Sequence, residues 1–511
     1  LGVGIGLGLG AKLSFGLSLI ALCVGLQPAP RVEESHLVIL HTNDVHGQAK
    51  PRPATWLKGD PPPEIGGLPR LGAMVKAVHE EVGEENILLL DGGDWTQGTP
   101  EGLLNEGASF VEAMVAVGYD AMCVGNHELD HGLASLEAMV AATGAPAVLA
   151  NVRSADGERL SFAPPYRVFE RAGLKVAVVG FVTPSTPSIT HNDAKALSFA
   201  DPVKEMTRVR TELGDSVDLV IPATHIGVDT DRLIAAAHPD LPFIVGGHSH
   251  TYLREGVMEG DVLIGQVGSK ASNLGRLDLW LDPETHEVLR SEYKVMSLLE
   301  EPAGEARSQP VDELCSALVA TSEARMKEVV GELTAPLSRA KSSLESSPAG
   351  NLIADTFKAH FDAECAFQNR GGIRCDLPKG PVTRRDLFEI LPFGNHPVLL
   401  ELRGEHLEGT LRQAVEGTAH SGLEVSGLVL EVTAGDAPKL SRVLVNGEPL
   451  EAQRVYRVAT NNFLAEGGDN FLLLAEAESV THDQVYLRTI LERRFNGGSL
   501  TPPTDNRYRV R

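Results

Sequence analysis

Five apolar segments of this chain are each followed by side chains that can bind a metal ion. The segments are LVIL, ILLL, AMCV, LVIPA and PFIV, and they read as buried strands because short apolar runs bounded by turn residues are typical of them. The side chains that follow them, in chain order, are Asp44, His46, Asp94, Asn126, His127, His225, His248 and His250. Since open α/β sheets gather their chemistry at the carboxyl ends of strands, we expect these side chains to meet along one rim of one sheet.

Strands and helices alternate from about residue 36 to residue 300, which predicts one α/β domain built of packed layers. The segments VLIGQVG and GRLDLWLD, near its end, are typical of antiparallel strands. A helical connector is expected over residues 301–334, and a second domain of mixed strands and helices over residues 335–511. A length of 511 residues agrees with two hydrophobic cores.

The charge of the chain limits its partners. The formal net charge of −24 argues against binding nucleic acid polymers, because a polyanion would be repelled. A small anionic substrate must therefore be attracted locally, by metal ions and arginines, against the field of the whole chain. Nothing in the sequence fixes the oligomeric state.

Residues 1–30 differ in composition from everything that follows. They are almost wholly apolar or Gly up to Leu26, Lys12 is the only charge in that stretch, and Pro28 and Pro30 then interrupt it. A basic residue before an apolar run is typical of a secretory signal, and the stretch is also long enough to span a bilayer. We therefore expect an exported protein that is periplasmic, extracellular or held at the cell surface. The segment is either removed as a signal or kept as the only membrane anchor.

Two of the five cysteines could form a disulfide. Cys365 and Cys375 flank the segment AFQNRGGIR, and in an exported protein such a pair can be oxidised. A sequence does not test the geometry that a disulfide needs, so the paired and the free states both stay open.

The residue types at the strand ends suit two divalent cations. Carboxylates, an amide oxygen and neutral imidazoles are ligands for Zn, Mn, Fe or Co, and the two oxygens of Asp94 can bridge two ions. Asp44 and Asp94 cancel only part of the charge of two such ions, so the remaining positive charge attracts a phosphate. Two ions about 3.5–4 Å apart can hold a hydroxide and the phosphoryl oxygens together. Each residue alone is better explained as a turn Asp or a structural His, but their joint occurrence favours a two-metal hydrolase.

His127 is expected to have a different task, because its neighbour Asn126 points at the metal ions and adjacent side chains diverge. An imidazole placed over a phosphate can stabilise charge and protonate a leaving oxygen. Asp130, three residues further on, can orient that imidazole if the loop turns helically. Glu128 is interpreted as structural support for the ligands.

The strings DVHG, GGD, GNHE and GGHSH, in this order, resemble the motifs of the calcineurin-like metallophosphoesterases. GNHELDHG and the downstream part of the chain resemble the 5′-nucleotidase / UDP-sugar hydrolase family, and the resemblance covers nearly everything after residue 30. It implies a layered α/β fold, a metallophosphoesterase β-sandwich flanked by helices, with a second α+β C-terminal substrate-binding domain.

The resemblance also implies two metal sites that share one carboxylate. The first site would consist of Asp44, His46, Asp94 and His250. The second would consist of Asp94, Asn126, His225 and His248. His127 and Asp130 are implied as a catalytic pair.

Three segments of the second domain, FQNRGGIR, LPFGNHP and NNFLAEGGDNF, resemble the substrate-binding segments of the family. Phe393 and Phe463 would stack on the two faces of a base, and Asn395 would touch its edge. Arg374 would contact phosphate and Asp469 the ribose hydroxyls. The full implied set is Asn369, Arg374, Phe393, Asn395, Phe463 and Asp469.

Two features depart from the family pattern. Arg370 stands where the family has a glycine, and Ser343 or Leu344 stands near a position where the family commonly has a phosphate-contacting arginine. Arg339 and Lys341 are the nearby cations that could replace it. The missing arginine argues against a strict preference for plain nucleoside monophosphates.

The resemblance implies an exported dinuclear-metal hydrolase that cleaves phosphate from nucleoside 5′-phosphates by attack of a metal-bound hydroxide. Nucleotide-sugar pyrophosphatase and cyclic phosphodiesterase activities are further options. The alternative is a phosphodiesterase or sulfur-ester hydrolase of the same fold with a non-nucleotide substrate. A non-enzymatic surface protein is disfavoured, because no metal-ligand position is visibly degraded.

Overall fold

The computed structural model describes residues 34–54, 56–59, 61–190, 192–299, 308–342, 344–419, 421–435, 437–483 and 485–511. The expected signal or anchor at residues 1–30 and the position of Ser343 lie outside these ranges. None of the helices in the described part of the chain combines the length and the apolar character needed to cross a bilayer.

Two six-stranded sheets form the centre of the first domain. In each sheet four neighbouring strands are parallel, and the remaining strands are antiparallel. The order across the first sheet is Val288–Ser297, Asn273–Leu281, Ser35–Thr42, Ile87–Asp91, Ala121–Cys123 and Ala147–Val148. The order across the second sheet is Val257–Glu259, Val262–Gly265, Phe243–Val245, Leu219–His225, Leu174–Val182 and Tyr166–Arg171.

The two sheets pack face to face and are covered by helices on their outer faces. Alternate residues of a strand point to opposite faces, so Ile39 lies between the sheets whereas Leu40 packs beneath helices. The helices over the first sheet are Leu68–Val82, Ala108–Val117, Leu133–Thr143 and Gln309–Met326. Those over the second sheet are Pro202–Leu213 and Val228–Ala237. The expected layered α/β sandwich is confirmed.

Smaller elements complete the first domain. They are the helix Thr186–Ile189, the strand pairs Arg52–Pro53 with Glu64–Ile65 and Val152–Arg153 with Ser198–Phe199, and the 3-10 turns Glu84–Asn86, Leu104–Gly107, His127–Leu129, Asn192–Ala196 and Gly214–Ser216.

The polar clusters predicted at the strand ends come from both sheets. Three of them follow strands of the first sheet, namely Ser35–Thr42, Ile87–Asp91 and Ala121–Cys123. The other two follow Leu219–His225 and Phe243–Val245 of the second sheet. The expectation of one rim of one sheet is therefore wrong, because the parallel strands of two stacked sheets end side by side.

The helical connector ends earlier than the sequence suggests. Gln309–Met326 is a helix that packs against Ala108–Val117 of the first domain, but Val329–Leu333 is a strand. That strand pairs with Gly380–Thr383 and Ser499–Leu500, and the β-branched residues that begin it disfavour a helix. We therefore propose that the second domain begins with this strand rather than at residue 335.

A five-stranded sheet with a core on each face organises the second domain. Its strand order is Leu423–Ser426, Cys365–Asn369, Val455–Asn461, Pro397–Arg403 and Ser479–His482. A four-stranded sheet adds Glu448–Pro449, Lys439–Val445, Leu428–Thr433 and Tyr508–Val510. The helices are Pro348–Phe361, Arg384–Ile390, Gly404–Glu416, Asn462–Ala465 and Leu487–Phe495, with 3-10 turns at Arg370–Gly372, Gly468–Asn470 and Leu472–Glu476.

The disulfide that the sequence left open is absent. Cys365 and Cys375 are both free thiols, and Cys365 is completely buried. Cys123 is a buried free thiol in its strand, as its apolar surroundings indicate.

The buried His41 predicts a loss of stability in acid. Its Nε2 lies 3.0 Å from the Tyr293 hydroxyl, and burial lowers its pKa to about 3. The neutral ring therefore stabilises the fold above the unfolded pKa of about 6.5, and this stabilisation is lost as pH falls from there toward 3. We expect His41→Gln to reduce, by about 2 kcal/mol, the drop in unfolding free energy between pH 7 and pH 4.5.

Urea titrations at the two pH values measure this drop. The exposed His131, changed to Gln, is the matched control and should behave as the wild type. An unaltered pH dependence in His41→Gln would show that the ring does not titrate as described.

Candidate functional site

The side chains expected at the strand ends converge where the two sheets meet. His225 and His248 from the second sheet face each other with ring centroids 5.0 Å apart. The ring of His46 lies 5.6 Å from that of His127. The four residues whose ligand atoms all lie within 4.8 Å of one another are Asp44, His46, Asp94 and His250.

Five of the seven expected metal ligands have left-handed backbone conformations. They are Asp44, His46, Asp94, His248 and His250, with φ between 50° and 75°. Such a conformation costs a non-glycine residue about 1–3 kcal/mol and persists only where neighbours impose it. Here the loops impose it on each other, since the N–H of Asp44 donates to Gly93 O at 2.8 Å and that of His46 to Asp94 O at 3.0 Å.

The carboxylate of Asp94 lies at the centre of the cluster. Its Oδ2 is 3.1 Å from His225 Nε2 and 3.9 Å from the Nε2 atoms of both His46 and His127. Its Oδ1 accepts a hydrogen bond of 3.0 Å from the backbone N–H of His127. One oxygen thus faces imidazoles from both sheets.

Backbone carbonyls orient two of the imidazoles. His46 Nδ1 lies 2.7 Å from Gln97 O, and His225 Nδ1 lies 2.7 Å from Gly92 O. A carbonyl only accepts, so Nδ1 carries a proton in both rings, and Nε2 is the nitrogen that can bind a metal ion. Both Nε2 atoms point into the cluster, as in metal-binding histidines whose other nitrogen is hydrogen-bonded.

Several atoms that can bind a metal ion meet in the cluster. His225 Nε2 lies 3.1 Å from Asp94 Oδ2, and His46 Nε2 lies 2.9 Å from His250 Nε2. Asn126 Oδ1 is buried and has no hydrogen-bond partner among the described residues, although a buried amide oxygen needs one. A divalent metal ion would supply that partner, and the surrounding imidazoles and carboxylates are ligands that such ions accept.

Burial and the neighbouring carboxylates shift the pKa values of the histidines in the cluster. Burial would lower the pKa of His225, but Asp94 and Asp44 outweigh it and raise that pKa to about 9. Burial lowers the pKa of His46 to about 4. A cation bound by these residues therefore displaces a proton chiefly from His225.

Glu128 ties together the loops that carry Asp94 and Asn126. It is buried and accepts hydrogen bonds from the backbone N–H groups of Asp94 (3.0 Å), Trp95 (2.7 Å) and Gly125 (2.8 Å). A side chain at Gly125 would collide with the Asp94 carboxylate, which explains the glycine before Asn126.

His127 and Asp130 form a hydrogen-bonded pair beside the cluster. The 3-10 turn His127–Leu129 brings His127 Nδ1 within 2.7 Å of Asp130 Oδ2. Thr190 donates to the other carboxylate oxygen of Asp130 at 3.0 Å. Burial lowers the pKa of His127, but the charges of Asp130 and Asp94 outweigh it and raise that pKa to about 10.

All six residues expected to bind substrate line one cavity of about 290 Å³ in the second domain: Asn369, Arg374, Phe393, Asn395, Phe463 and Asp469. The rings of Phe393 and Phe463 are 48% and 40% exposed, which is unusual for core aromatics and leaves their faces open to a ligand. Asn369 Nδ2 donates to Asp469 Oδ2 at 2.8 Å and so fixes that carboxylate at the cavity wall.

This cavity adjoins a second one of about 410 Å³, which is lined by five of the seven expected metal ligands. Phe393 lines both cavities, and Asn462 and Glu466 of the second domain also face the metal side. The loop with Phe393 touches the first domain, because a side chain at Gly394 would collide with the Gln97 amide. A molecule held in the smaller cavity is thus next to the cluster.

Arg374 is the only Lys or Arg among the described residues that line the smaller cavity. Arg339 and Lys341, the expected substitutes for the missing family arginine, line a different cavity with Arg370. Arg370 donates to the backbone carbonyls of Ser342 (2.7 Å) and Glu345 (2.6 Å) and so holds that loop in place. The position of Ser343 itself lies outside the described residues.

Comparison with known proteins agrees with this arrangement. Residues 37–252 match the family described as calcineurin-like phosphoesterase, and residues 329–476 match the 5'-nucleotidase C-terminal domain. The chain thus combines a calcineurin-like phosphoesterase domain with a 5'-nucleotidase C-terminal domain. It is a metal-dependent phosphoester hydrolase.

Relatives match along most of their length. A 5'-nucleotidase of Vibrio cholerae is 27% identical over 90% of this chain and 91% of its own. Protein UshA of Escherichia coli is 28% identical over 85% of this chain and 86% of its own. The solved structure of a 5'-nucleotidase precursor from Thermus thermophilus, 29% identical, covers 93% of this chain and 99% of that chain with a TM-score of 0.62.

Sequence reasoning missed several supporting residues of the hydrolase. Gln97 and Gly92 orient imidazoles through backbone carbonyls, an action that leaves no signal in residue type. Thr190 contacts Asp130 across 60 positions of the chain. Lys270 lines the metal cavity although it belongs to no recognised motif.

The three hydrogen bonds of Glu128 predict that its removal loosens the site. Glu128→Ala leaves three buried N–H groups without an acceptor, which should lower the unfolding free energy by about 3 kcal/mol. Divalent-metal affinity should fall with it, because the Asp94 and Asn126 loops lose their common anchor. Chemical denaturation and metal titration by calorimetry measure both.

The exposed Glu137, changed to Ala, is the control and should match the wild type in both measurements. Unchanged stability of Glu128→Ala would contradict the assigned role of the carboxylate.

Proposed function

We propose that this hydrolase removes phosphate from nucleoside 5′-phosphates and that it does so with two divalent cations. The observation that supports this proposal most directly is the position of Phe393. This residue lines both the cavity of about 290 Å³ in the second domain and the cavity of about 410 Å³ beside the expected metal ligands. A base between the two rings leaves its 5′-phosphate to extend toward the cluster. The apolar run after Lys12 supports the further proposal that the enzyme is exported.

The residues on hand suit the assignment of two metal positions around Asp94. One position would use Asp44, His46, Asp94 and His250. The other would use Asp94, Asn126, His225 and His248. When bound, two divalent cations supply Lewis-acid polarisation of phosphoryl oxygens and an activated water, whether they are Zn, Mn, Fe or Co.

His127 would deliver a proton to the leaving oxygen of the nucleoside. Its Nδ1 bonds to Asp130, so Nε2 is the atom that faces the cluster and the substrate. The raised pKa keeps Nε2 protonated near neutrality, as a general acid requires. Asp130, held by Thr190, fixes the ring and stabilises its charged form.

The second domain would recognise the nucleoside. Phe393 and Phe463 take the two faces of the base, and Asn395 reaches its edge. Asp469, fixed by Asn369, is placed to accept the ribose hydroxyls. Arg374 would contact a phosphate oxygen, and its guanidinium lies 5.9 Å from the centre of the Phe393 ring.

A phosphodiesterase or sulfur-ester hydrolase with a non-nucleotide substrate is the second candidate. The observation in its favour is the single guanidinium of the aromatic cavity, which binds phosphate less strongly than a pair would. Substrates with and without a base separate the two candidates.

Removal of one aromatic ring should damage only nucleoside substrates. We expect Phe393→Ala to raise KM for AMP about 10- to 100-fold, since stacking on one ring contributes about 1–3 kcal/mol. Hydrolysis of glycerol 2-phosphate, which has no ring to stack, should change less than about threefold. Steady-state kinetics on both substrates with the same metal ion measure the difference.

The exposed Leu472, changed to Ala, is the apolar control outside this cavity. An equal loss on AMP and glycerol 2-phosphate would contradict base stacking and favour the second candidate.

Loss of the His127 imidazole should reduce turnover without emptying the metal positions. We expect His127→Ala to lower kcat about 10²- to 10⁴-fold, the range for loss of a general acid, and Asp130→Asn to lower it less. Metal content, measured by elemental analysis, should remain that of the wild type. Turnover within threefold of wild type in His127→Ala would remove the residue from the mechanism.

A further inference from the structure

Lys270 lines the cavity that holds the metal-ligand cluster. Among the described Lys and Arg residues it is the only one on that cavity wall. It precedes the strand Asn273–Leu281, and its backbone N–H donates to Asp44 O at 2.6 Å. Lys270 is therefore tied to the loop of a proposed ligand.

The backbone at this position is strained. Lys270 and Ala271 are consecutive non-glycine residues with φ of 61° and 44°. Each costs about 1–3 kcal/mol in this region, where a glycine would cost little. Strain of this kind is concentrated at binding and catalytic sites, where it fixes the direction of a side chain.

The positive charge of Lys270 is not neutralised by a neighbour. Lys270 is exposed, and no carboxylate of the described residues lies within ion-pair distance of it, although the chain carries a net charge of −24. A second cation, Arg52, is close enough to repel it, and Arg52 also has no ion pair among the described residues. Arg52 donates to Ser272 Oγ at 3.1 Å and lies 5.1 Å from the ring centre of the exposed Trp56.

We propose that Lys270, reinforced by Arg52, is a specificity-determining residue that binds a phosphoryl oxygen and selects phosphate monoesters over diesters. The inference rests on the proposed function for the place of the phosphoryl group beside the cluster. An acyclic monoester presents a dianion, whereas a diester presents a monoanion and hides one oxygen behind a second substituent. An added ammonium therefore discriminates between them through both charge and hydrogen bonding.

Binding of two small anions tests this directly. Inorganic phosphate and dimethyl phosphate are titrated by calorimetry at pH 8 into Mn²⁺-loaded wild type, Lys270→Met, Lys270→Arg and Arg52→Met. In Lys270→Met we expect Kd for phosphate to rise about tenfold, the loss of one charge-assisted contact, and Kd for dimethyl phosphate to change less than threefold. Lys270→Arg should retain most of the phosphate affinity, and Arg52→Met should lose about threefold.

The exposed Lys76, changed to Met, controls for the loss of one positive charge at a distance. Thermal unfolding and metal content of each variant show whether fold and metal loading are kept. The proposal is overturned if phosphate affinity in Lys270→Met stays within twofold of wild type. It is equally overturned if both anions weaken alike, or if the wild type binds no phosphate.

The anion titrations test the role of Lys270 separately from the nucleotide assignment, because neither anion carries a nucleoside. If AMP is not a substrate but Lys270→Met still loses phosphate selectively, the monoester inference stands and the nucleotide assignment fails. If AMP is cleaved and anion binding is unaffected by Lys270→Met, the nucleotide assignment stands and the monoester inference fails.

Discussion

The rest of the site depends on one buried carboxylate, that of Asp94. Its Oδ2 lies 3.1 Å from an imidazole of one sheet and 3.9 Å from two imidazoles of the other, so the charge of one side chain joins the two halves of the sandwich. Burial opposes its ionisation, yet His225 and His127 keep its pKa well below the ordinary value. The carboxylate of Asp94 is held in this position chiefly by two features. Glu128 accepts three backbone hydrogen bonds from the surrounding loops, and the glycine at 125 leaves room for the carboxylate.

We propose that the second domain supplies this centre with its substrate. Six residues from three separate segments line one cavity, and that cavity meets the metal side at Phe393. Recognition and chemistry are thus assigned to different domains, with a single aromatic ring at their boundary. The family resemblance implies that the domains rotate relative to each other, and the contact of the Phe393 loop with Gln97 is one that such a rotation would break.

The sequence predicted the layered fold, but not how its strands are divided between two sheets. The clusters at the strand ends are local signals, whereas the residues of the cavity in the second domain were expected only from the family resemblance. The packing of two sheets is not local, so nothing in the sequence showed that His225 and Asp94 come from different sheets. A helical reading through Val329–Leu333 failed because pairing with distant strands outweighed a weak helical pattern. Lys270 was not predicted because it belongs to no recognised motif, and its left-handed backbone conformation is visible only in the structure.

Anomalous diffraction from crystals loaded with Mn²⁺ tests the central claim most directly. The account predicts two peaks on either side of Asp94, one among His46, Asp44 and His250 and the other beside Asn126 and His225. A single peak, no peak, or peaks remote from Asp94 would contradict it.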